Sequence, residues 1–253
     1  MFKYKSIRRK MSQIDLIHNS EWDTMIVLDA CRHDFFKKCN TFKGKLMNVQ
    51  SIAPHTYSWA TNTFTGKYPW LYFSAHMWIG DKIRPKKPWN AVQHFKKVLP
   101  IWETEWNDDL GTVHPNAVGK YVRKYFEENP EEKCIIHYVQ PHGPWIGKPG
   151  MKMHWTKELH DQYGVMADYM AQVKKPPHNF MKKIYKANLN LVLRSIKKYV
   201  KYFPGQVVIT ADHGEMLGEW DKTYRMGLYL HKENFPKWAD TLIKQVPWFI
   251  MDR

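Results

Sequence analysis

The sequence predicts an α/β protein with a mostly parallel central sheet and helices on both faces of that sheet. Short apolar runs rich in β-branched residues are typical of buried strands, and longer segments with helical apolar spacing separate them. This alternation of strands and helices is the pattern of a parallel sheet with crossover helices. The chain has 253 residues, of which 43% are hydrophobic, and this suffices for a substantial core.

Four apolar runs predict the strands. The runs at residues 24–28, 134–139 and 206–210 are each followed by a cluster of polar side chains, and a fourth run at residues 246–251 predicts one more buried strand. The carboxyl ends of parallel strands meet at one edge of a sheet, where α/β proteins place their chemistry. The three polar clusters therefore mark the candidate site.

Two segments predict helices. Residues 116–126 follow Pro115 and place their apolar side chains on one stripe, and residues 179–203 repeat this pattern over a longer stretch. We expect one domain over the whole chain. It carries a basic N-terminal segment at residues 1–20 and an insertion at residues 147–177 that is a candidate lid.

Charge limits the classes of partner without choosing among them. The chain has 39 Lys and Arg against 24 Asp and Glu, a formal net charge of +15 at pH 7. Such a charge favours nucleic acid, an anionic membrane surface or a negatively charged substrate. The aromatic residues match neither an RNA-recognition motif nor a zinc finger, so nucleic acid is the weaker expectation, though it stays open.

The location is predicted from three negative observations. No apolar run approaches the roughly 20 residues of a membrane-spanning helix, so we expect no transmembrane segment. The basic start is not followed by the apolar core of a signal peptide. Cys31, Cys39 and Cys134 lack the spacing of a zinc clip and favour free thiols in a reducing compartment. These observations predict a cytoplasmic protein.

Three residues predict a metal site at the strand ends. Asp29 follows the first strand, and Asp212 and His213 follow the strand at residues 206–210. Two carboxylates and an imidazole are suitable ligands for zinc, manganese or magnesium, and a divalent ion offsets the repulsion between the acids. Each residue taken singly also fits a helix cap or a turn. Their combination favours the metal site.

The chain resembles the alkaline phosphatase/sulfatase superfamily in four segments that occur in the expected order. They include a hydroxyl-rich stretch that begins Thr-Tyr-Ser-Trp-Ala and the run Thr-Ala-Asp-His-Gly-Glu-Met-Leu-Gly-Glu, which is highly specific for that superfamily. The four segments lie at residues 27–34, 56–69, 137–145 and 208–219. The resemblance covers nearly all of the chain from about residue 24 to residue 249 and implies an alkaline-phosphatase-like fold.

The resemblance also implies a nucleophile. In sulfatases the nucleophile lies nine residues before the threonine of a Thr-Gly pair, and counting back from Thr65 identifies Thr56. The stretch lacks the cysteine that matures to formylglycine and the arginine that follows it in sulfatases. It therefore looks like the threonine-nucleophile branch, which includes phosphodiesterases, phosphomutases and lipoteichoic-acid-synthase-like phosphotransferases. In that branch Asp29, Thr56, Asp212 and His213 would hold the metal.

Three further histidines are site candidates because of the same resemblance. His142 would bind the ester or protonate the leaving group, His137 would contact the substrate, and His231 resembles the late active-site histidine of the family. A structural histidine that hydrogen-bonds a turn is the alternative for His137 and His142. Trp220 stands where the usual pattern would place the late histidine, which leaves the role of His231 open.

The resemblance favours one divalent ion (Mn, Zn, Mg or Ca) over two. Gln140 stands where members with two metals carry an additional acid, and Ala30 replaces the second acid of the sulfatase Asp-Asp pair. Two ions remain an alternative if His142 and His231 join an acid elsewhere. Arg32 and Asp34 are expected to pair with each other as structural residues.

The functional expectation is a metal-dependent hydrolase or transferase of phosphate esters that works through a covalent threonine intermediate. Its substrate would be an anionic ester linked to a glycan or polymer, and the oligomeric state stays open. Two alternatives remain. One is a sulfuric ester hydrolase of the same fold, and the other is a non-catalytic basic module that binds nucleic acid or an acidic partner. A vestigial site has no physical reason to keep a buried acidic cluster, which disfavours the second alternative.

Overall fold

A seven-stranded sheet forms the centre of the computed structural model. Its strand order is β2-β11-β8-β1-β7-β3-β4, and two-stranded ribbons pair β9 with β10 and β5 with β6. The structure describes residues 11–80, 89–129, 132–148, 177–223, 225–231 and 233–252.

The elements in these parts of the chain agree with the predicted alternation of strands and helices. The strands are β1 (Thr24–Leu28), β2 (Gly44–Gln50), β3 (Tyr68–Ser74), β4 (Phe95–Pro100), β5 (Trp106–Asn107), β6 (Thr112–Val113), β7 (Cys134–Tyr138), β8 (Val207–Thr210), β9 (Met216–Asp221), β10 (Met226–Leu230) and β11 (Gln245–Met251). The α-helices are α1 (Gln13–Asn19), α2 (His33–Cys39), α3 (Thr56–Thr63), α4 (Ile101–Glu105), α5 (Pro115–Glu128), α6 (His178–Tyr199) and α7 (Lys237–Ile243). Short 3₁₀ helices cover Ala91–Gln93 and Val200–Tyr202.

The register of the parallel strands aligns their ends. β1 pairs in parallel with β7 and β8, and Thr24 lies opposite both Cys134 and Val207. β3 continues the parallel order beside β7, and β4 beside β3. β11 runs antiparallel between β8 and β2. The predicted mostly parallel sheet is confirmed, and the polar residues after β1, β3, β7 and β8 meet at one edge.

Helices cover both faces of the sheet, as predicted. All residues of β1, β7 and β8 are buried although alternate side chains point to opposite faces. The same alternation is visible in β3, where the ring of Phe73 packs against Phe126 of α5. On the other face, Tyr72 packs against Phe64, which ends α3. α3 and α5 therefore lie on opposite sides of the sheet.

The two predicted long helices form close to their expected bounds. α5 begins at Pro115, where His114 caps the helix by accepting a hydrogen bond from the Asn116 backbone N–H. α6 ends near the predicted place and continues into the 3₁₀ turn. A Cβ on Gly119 would lie 2.2 Å from the ring of Tyr199, so the close contact of α5 with α6 requires glycine at this position.

Three strands of the sheet were not predicted. β2, β3 and β4 mix exposed with buried residues and do not alternate cleanly, so they lack the apolar runs that identify β1 and β8. Of the predicted insertion, residues 149–176 lie outside the described residues, as do residues 1–10 of the basic N-terminal segment. The assignment of a single domain stays a prediction. Within the described chain, each helix is too short or too polar to cross a bilayer.

Candidate active site

The three predicted metal ligands meet at the carboxyl edge of the sheet. Asp29, Asp212 and His213 are buried, and one ligand atom from each lies within 4.8 Å of the others. His213 Nε2 is 3.5 Å from Asp29 Oδ1 and 3.3 Å from Asp212 Oδ2. Among the described residues, this is the group of acids and histidines that fits a metal ion.

Backbone hydrogen bonds fix the orientation of Asp212. Its Oδ1 accepts from the backbone N–H of Ala30 at 3.0 Å and from that of His213 at 2.8 Å. Ala30 adopts a left-handed conformation with φ 57°, which turns the chain sharply after Asp29. Because both of these donors bind Oδ1, Oδ2 is directed into the site.

The hydrogen bond made by Nδ1 fixes the tautomer of His213. Its Nδ1 lies 2.9 Å from the Gly214 carbonyl oxygen, so Nδ1 carries the proton and donates it to that carbonyl. In this tautomer the Nε2 lone pair points at Asp29 and Asp212. This is the tautomer that a metal-binding histidine requires.

Thr56 lies beside these ligands at the start of α3. Its Oγ donates a hydrogen bond to Asp212 Oδ2 at 2.7 Å and lies 3.3 Å from His213 Nε2. His55 caps the helix, since its Nδ1 accepts from the backbone N–H of Ser58. The positive end of the α3 dipole therefore lies where an anionic ester would meet Thr56.

His76 is a site residue that the sequence analysis missed. It follows β3 at the same edge, and its Nδ1 accepts from the Trp78 backbone N–H. Its protonated Nε2 then faces Asp29 Oδ2 at 3.3 Å. The other oxygen, Asp29 Oδ1, is buried and has no hydrogen-bond partner in the described part of the chain. His76 thus orients Asp29 so that an unpaired oxygen faces the ligand group.

The electrostatics of the two acids differ. Burial alone would raise the pKa of Asp29, but the nearby His142, His76 and His213 outweigh it and hold this pKa well below its ordinary value. Burial raises the pKa of Asp212 above its ordinary value, and the charge of Asp29 adds to this effect. An unpaired carboxylate oxygen, a second acid and an imidazole lone pair fit a divalent cation, whose charge would stabilise both acids in their ionised form.

Two of the predicted histidines face each other across the site. His142 Nε2 lies 3.2 Å from His231 Nε2, and the rings of His231 and His213 are 4.1 Å apart. Burial alone would lower the pKa of His142, but the charges of Asp29 and Glu215 outweigh it and raise this pKa to about 9. Burial and the neighbouring His213 hold the pKa of His231 well below its ordinary value. His142 is therefore the protonated partner and His231 the neutral one.

A buried asparagine holds the loop that carries His142. Asn188 of α6 is fully buried, and its Oδ1 accepts from the backbone N–H groups of Ile146 and Gly147 at 3.0 Å each. Its Nδ2 donates to the carbonyls of His142 at 2.9 Å and Pro144 at 3.1 Å. One side chain thus replaces the regular backbone pairing that this irregular loop lacks.

His137 lies in the sheet behind the ligand group. It is fully buried on β7, where its Nδ1 is 2.8 Å from the hydroxyl oxygen of Tyr72. Its Nε2 is 3.9 Å from Asp212 Oδ2 and has no hydrogen-bond partner within the described residues. Burial lowers the pKa of His137 to about 3, so the ring is neutral. A direct contact of His137 with substrate stays a prediction.

Glu215 is a second residue to which the sequence analysis assigned no role. It is fully buried, and neither of its carboxylate oxygens has a hydrogen-bond partner in the described chain. Burial raises the pKa of Glu215 to about 7. The predicted pairing of Arg32 with Asp34 is present at 2.9 Å, and Arg32 also pairs with Glu219 of β9.

No protein-family model and no curated protein matches this sequence. Solved structures do match. The C-terminal periplasmic domain of phosphoethanolamine transferase EptC from Campylobacter jejuni is 12% identical, with a TM-score of 0.51 over 90% of this chain and 77% of that one. A protein in the alkaline phosphatase superfamily from Vibrio parahaemolyticus is 8% identical, with a TM-score of 0.50 over 90% of this chain and 59% of that one.

The chain has the alkaline phosphatase superfamily fold. A third structure with this fold, the soluble domain of lipooligosaccharide phosphoethanolamine transferase A from Neisseria meningitidis, agrees with this assignment. It is 12% identical, with a TM-score of 0.51 over 89% of this chain and 75% of that one. The resemblance identified in the sequence is thereby confirmed. At these identities the alkaline-phosphatase-like likeness concerns the fold, and the roles of individual residues stay predictions.

The predicted cytoplasmic location is wrong. The matching alkaline-phosphatase-like structures include a periplasmic domain of a transferase. The prediction relied in part on unpaired cysteines, and the structure shows why they carry little information. Cys31, Cys39 and Cys134 are all buried and free. Burial raises the pKa of Cys134 to about 12, and such shielded thiols persist in a reducing or an oxidising compartment.

Proposed function

We propose that this chain transfers or hydrolyses phosphate esters in a metal-dependent reaction, through a covalent intermediate on Thr56. The observation that carries the proposal is the placement of a threonine hydroxyl at the start of α3, 2.7 Å from Asp212 Oδ2 and 3.3 Å from His213 Nε2. A threonine that served only to cap or pack has no need of a buried acid and an imidazole lone pair as neighbours.

Asp29, Thr56, Asp212 and His213 would hold one divalent ion (Mn, Zn, Mg or Ca). The unpaired Asp29 Oδ1 and the His213 Nε2 lone pair are the donors that favour this assignment. When bound, the ion would lower the pKa of the Thr56 hydroxyl and neutralise charge on the ester oxygens.

In the first half of the reaction, Thr56 Oγ attacks phosphorus and forms the P–O bond, while the bond to the leaving oxygen breaks. Asp212 Oδ2 accepts the hydroxyl proton along the existing 2.7 Å hydrogen bond and returns it to Thr56 Oγ when that oxygen leaves phosphorus in the second half. His142, whose pKa of about 9 keeps it protonated at neutral pH, donates its Nε2 proton to the leaving oxygen.

In the second half, a water molecule or an acceptor hydroxyl attacks the phosphothreonine and releases Thr56. The neutral His142 accepts the proton of the attacking hydroxyl, which restores its starting state. His231 faces His142 at 3.2 Å and stays neutral, so it favours the charged form of His142 by accepting its hydrogen bond. The neutral ring of His137 lies behind Asp212, with its Nε2 3.9 Å from Asp212 Oδ2.

An anionic substrate linked to a lipid, glycan or polymer outside the cytoplasm fits this proposal best. The matching structures include a phosphoethanolamine transferase and a lipooligosaccharide phosphoethanolamine transferase. The net charge of +15 would attract such anionic material. Transfer to an acceptor hydroxyl is therefore as well supported as hydrolysis.

The test compares aryl phosphodiester, phosphomonoester and sulfate esters with metal-stripped protein and with Mn²⁺, Zn²⁺ or Mg²⁺ restored. We expect metal-dependent turnover of a phosphate ester that Thr56→Ala abolishes. Thr56→Ser, which keeps the hydroxyl, should retain part of that turnover. Thr63→Ala, at the other end of the same helix, is the matched control and should keep most of it.

Two outcomes would contradict the proposal. Turnover of sulfate but not phosphate esters would indicate a sulfuric ester hydrolase. Absence of turnover together with absence of stoichiometric metal binding would favour the basic binding module instead.

A further inference from the structure

The β9–β10 ribbon exposes large apolar side chains at its outer end. Trp220 is 65% exposed, and Met226 and Trp238 are 41% and 43% exposed. Tryptophan is seldom this exposed, because burial of its ring removes a large apolar surface from contact with water. None of the three contributes to the candidate active site. Residues 220–223, 225 and 226 together with Trp238 of α7 form the ribbon tip.

The ribbon tip carries apolar side chains on both of its faces. Trp220 pairs with Gly227 across the ribbon, and Met226 pairs with the adjacent Asp221. Successive residues of a strand point to opposite faces, so Trp220 and Met226 lie on opposite sides. Trp238 lies on the side of Met226, because its Nε1 donates to Asp221 Oδ2 at 2.7 Å. The tip therefore has the form of a wedge.

The exposed charges of the described part of the ribbon tip are positive. Lys222 and Arg225 are exposed, and Lys237 is exposed at the start of the adjacent α7. The acid of the tip, Asp221, is 3% exposed and accepts hydrogen bonds from the Thr223 backbone N–H and from Trp238. The Asp221 carboxylate is therefore buried and is not part of the exposed surface of the tip.

We propose that the ribbon tip inserts into the headgroup layer of an anionic lipid bilayer. Tryptophan favours the interface of a membrane because its ring is apolar and its N–H is polar. Lysine and arginine beside it bind lipid phosphates. A wedge with apolar side chains on two opposite faces suits a fluid layer that surrounds it, whereas a flat protein surface would cover one face. The net charge of +15 favours an anionic surface.

The ribbon connects this surface to the candidate active site. β9 begins directly after Glu215, and β10 ends directly before His231. The six residues of β9 span about 20 Å at roughly 3.3 Å per residue. A bilayer that holds the tip would therefore lie within about 20 Å of the site, close enough for esters in the headgroup layer. The binding itself requires no turnover, so it can fail or succeed independently of the proposed function.

The experiment measures sedimentation of the full chain with vesicles. Vesicles of phosphatidylcholine alone are compared with vesicles that also contain phosphatidylglycerol, and Trp220→Glu is compared with Val92→Glu. Val92 is 46% exposed in the 3₁₀ helix Ala91–Gln93, so the two variants add the same charge at exposed apolar positions. We expect tighter binding to the anionic vesicles, weakened about tenfold by Trp220→Glu and at most about twofold by Val92→Glu.

Further variants separate the sources of binding. Trp220→Phe should retain most of the affinity, and reversal of both tip charges in Lys222→Glu/Arg225→Glu should remove the preference for anionic vesicles. Failure of the wild type to sediment with the vesicles, or equal binding by Trp220→Glu and Val92→Glu, would overturn the proposal. Loss of a concentration-dependent dimer in Trp220→Glu, with unchanged vesicle binding, would assign the tip to a second copy of the chain and would also overturn it.

Discussion

The charged residues at the two edges of the central sheet differ in whether all of their polar atoms have partners. At the carboxyl edge, Asp29 and Asp212 are buried, and Asp29 Oδ1 has no hydrogen-bond partner in the described chain. At the amino edge, Asp23 Oδ2 accepts from the Gln206 backbone N–H at 2.6 Å, and the Lys133 ammonium lies 3.8 Å from the centre of the Trp22 ring. The carboxyl edge thus holds a buried carboxylate oxygen without a hydrogen-bond partner, whereas the charges at the amino edge have partners.

The volume of a cleft does not indicate which edge of the sheet carries the candidate site. A cleft of about 500 Å³ opens at the amino edge and is lined in part by Asp23, Lys133 and Lys201. Its charged groups already have partners, so nothing there calls for a ligand. A buried carboxylate without a partner costs free energy unless a cation or a proton accompanies it. Unsatisfied buried groups therefore locate the chemistry of this molecule better than the volume of a cleft does.

The largest expected effect is the difference in metal binding and kcat/KM between a variant at the carboxyl edge and a variant at the amino edge. Asp29→Asn removes a charged ligand, so we expect loss of stoichiometric metal binding and a fall in kcat/KM of about 10³-fold or more. Asp23→Asn at the amino edge keeps an oxygen that accepts from Gln206, and its kcat/KM should stay within about twofold of wild type. Metal analysis and steady-state kinetics check both. Equal losses in the two variants would contradict the distinction between the edges.

The next effect concerns the protonated histidine. His142→Gln removes the proposed acid, so kcat should fall by about 10²–10³-fold for an ester with an alkoxide leaving group. An ester with a nitrophenolate leaving group needs less protonation and should lose much less. His94→Gln, just before β4 at the amino edge, is the matched control. A loss in His142→Gln that does not depend on the leaving group would show that His142 binds substrate without donating a proton.

A smaller effect is expected at His76. Its Nε2 faces Asp29 Oδ2 at 3.3 Å and orients that acid without belonging to the ligand group. His76→Leu should weaken metal binding by about 10–100-fold. His76→Gln, whose amide can still donate, should lie closer to wild type. Calorimetric titration of metal-stripped protein with Mn²⁺ measures this, and unchanged affinity in His76→Leu would remove His76 from the site.

The smallest effect is a gradual dependence on pH. Burial holds the pKa of Asp212 above its ordinary value of 3.8, and a protonated carboxyl is a poor ligand. Because the cation competes with this proton, the apparent affinity should decrease as the pH falls below the raised pKa of about 6, by roughly tenfold per unit for one proton. Titrations between pH 5 and 7.5 in buffers of different ionisation enthalpy would count the proton released. A flat affinity without proton release would contradict the raised pKa.

The parts of the site that follow fully buried strands could be predicted from the sequence. Asp29 and Asp212 follow β1 and β8, in which every residue is buried, so the apolar run and the polar end are both local signals. His76 could not be found in this way. The strand before it, β3, has exposed and half-buried residues in its first part and contains Pro69, which obscures the run.

Other features depend on contacts between residues far apart in the chain. The pairing of His142 with His231 spans 89 positions, and the loop around His142 is fixed by Asn188 of α6. No local pattern shows which of two facing histidines carries the proton, because this depends on the charges of Asp29 and Glu215. The resemblance to the superfamily named these histidines, whereas their electrostatic roles required the structure.

The most direct test of the central claim is to trap the covalent intermediate. The metal-loaded protein is mixed with a phosphodiester substrate and quenched in acid, and its peptides are mapped by mass spectrometry. The account predicts one phosphoryl or substituted phosphoryl group on Thr56 in the wild type and none on the same peptide in Thr56→Ala. Turnover in wild type with no adduct on Thr56, or an adduct on another residue that persists in Thr56→Ala, would contradict it.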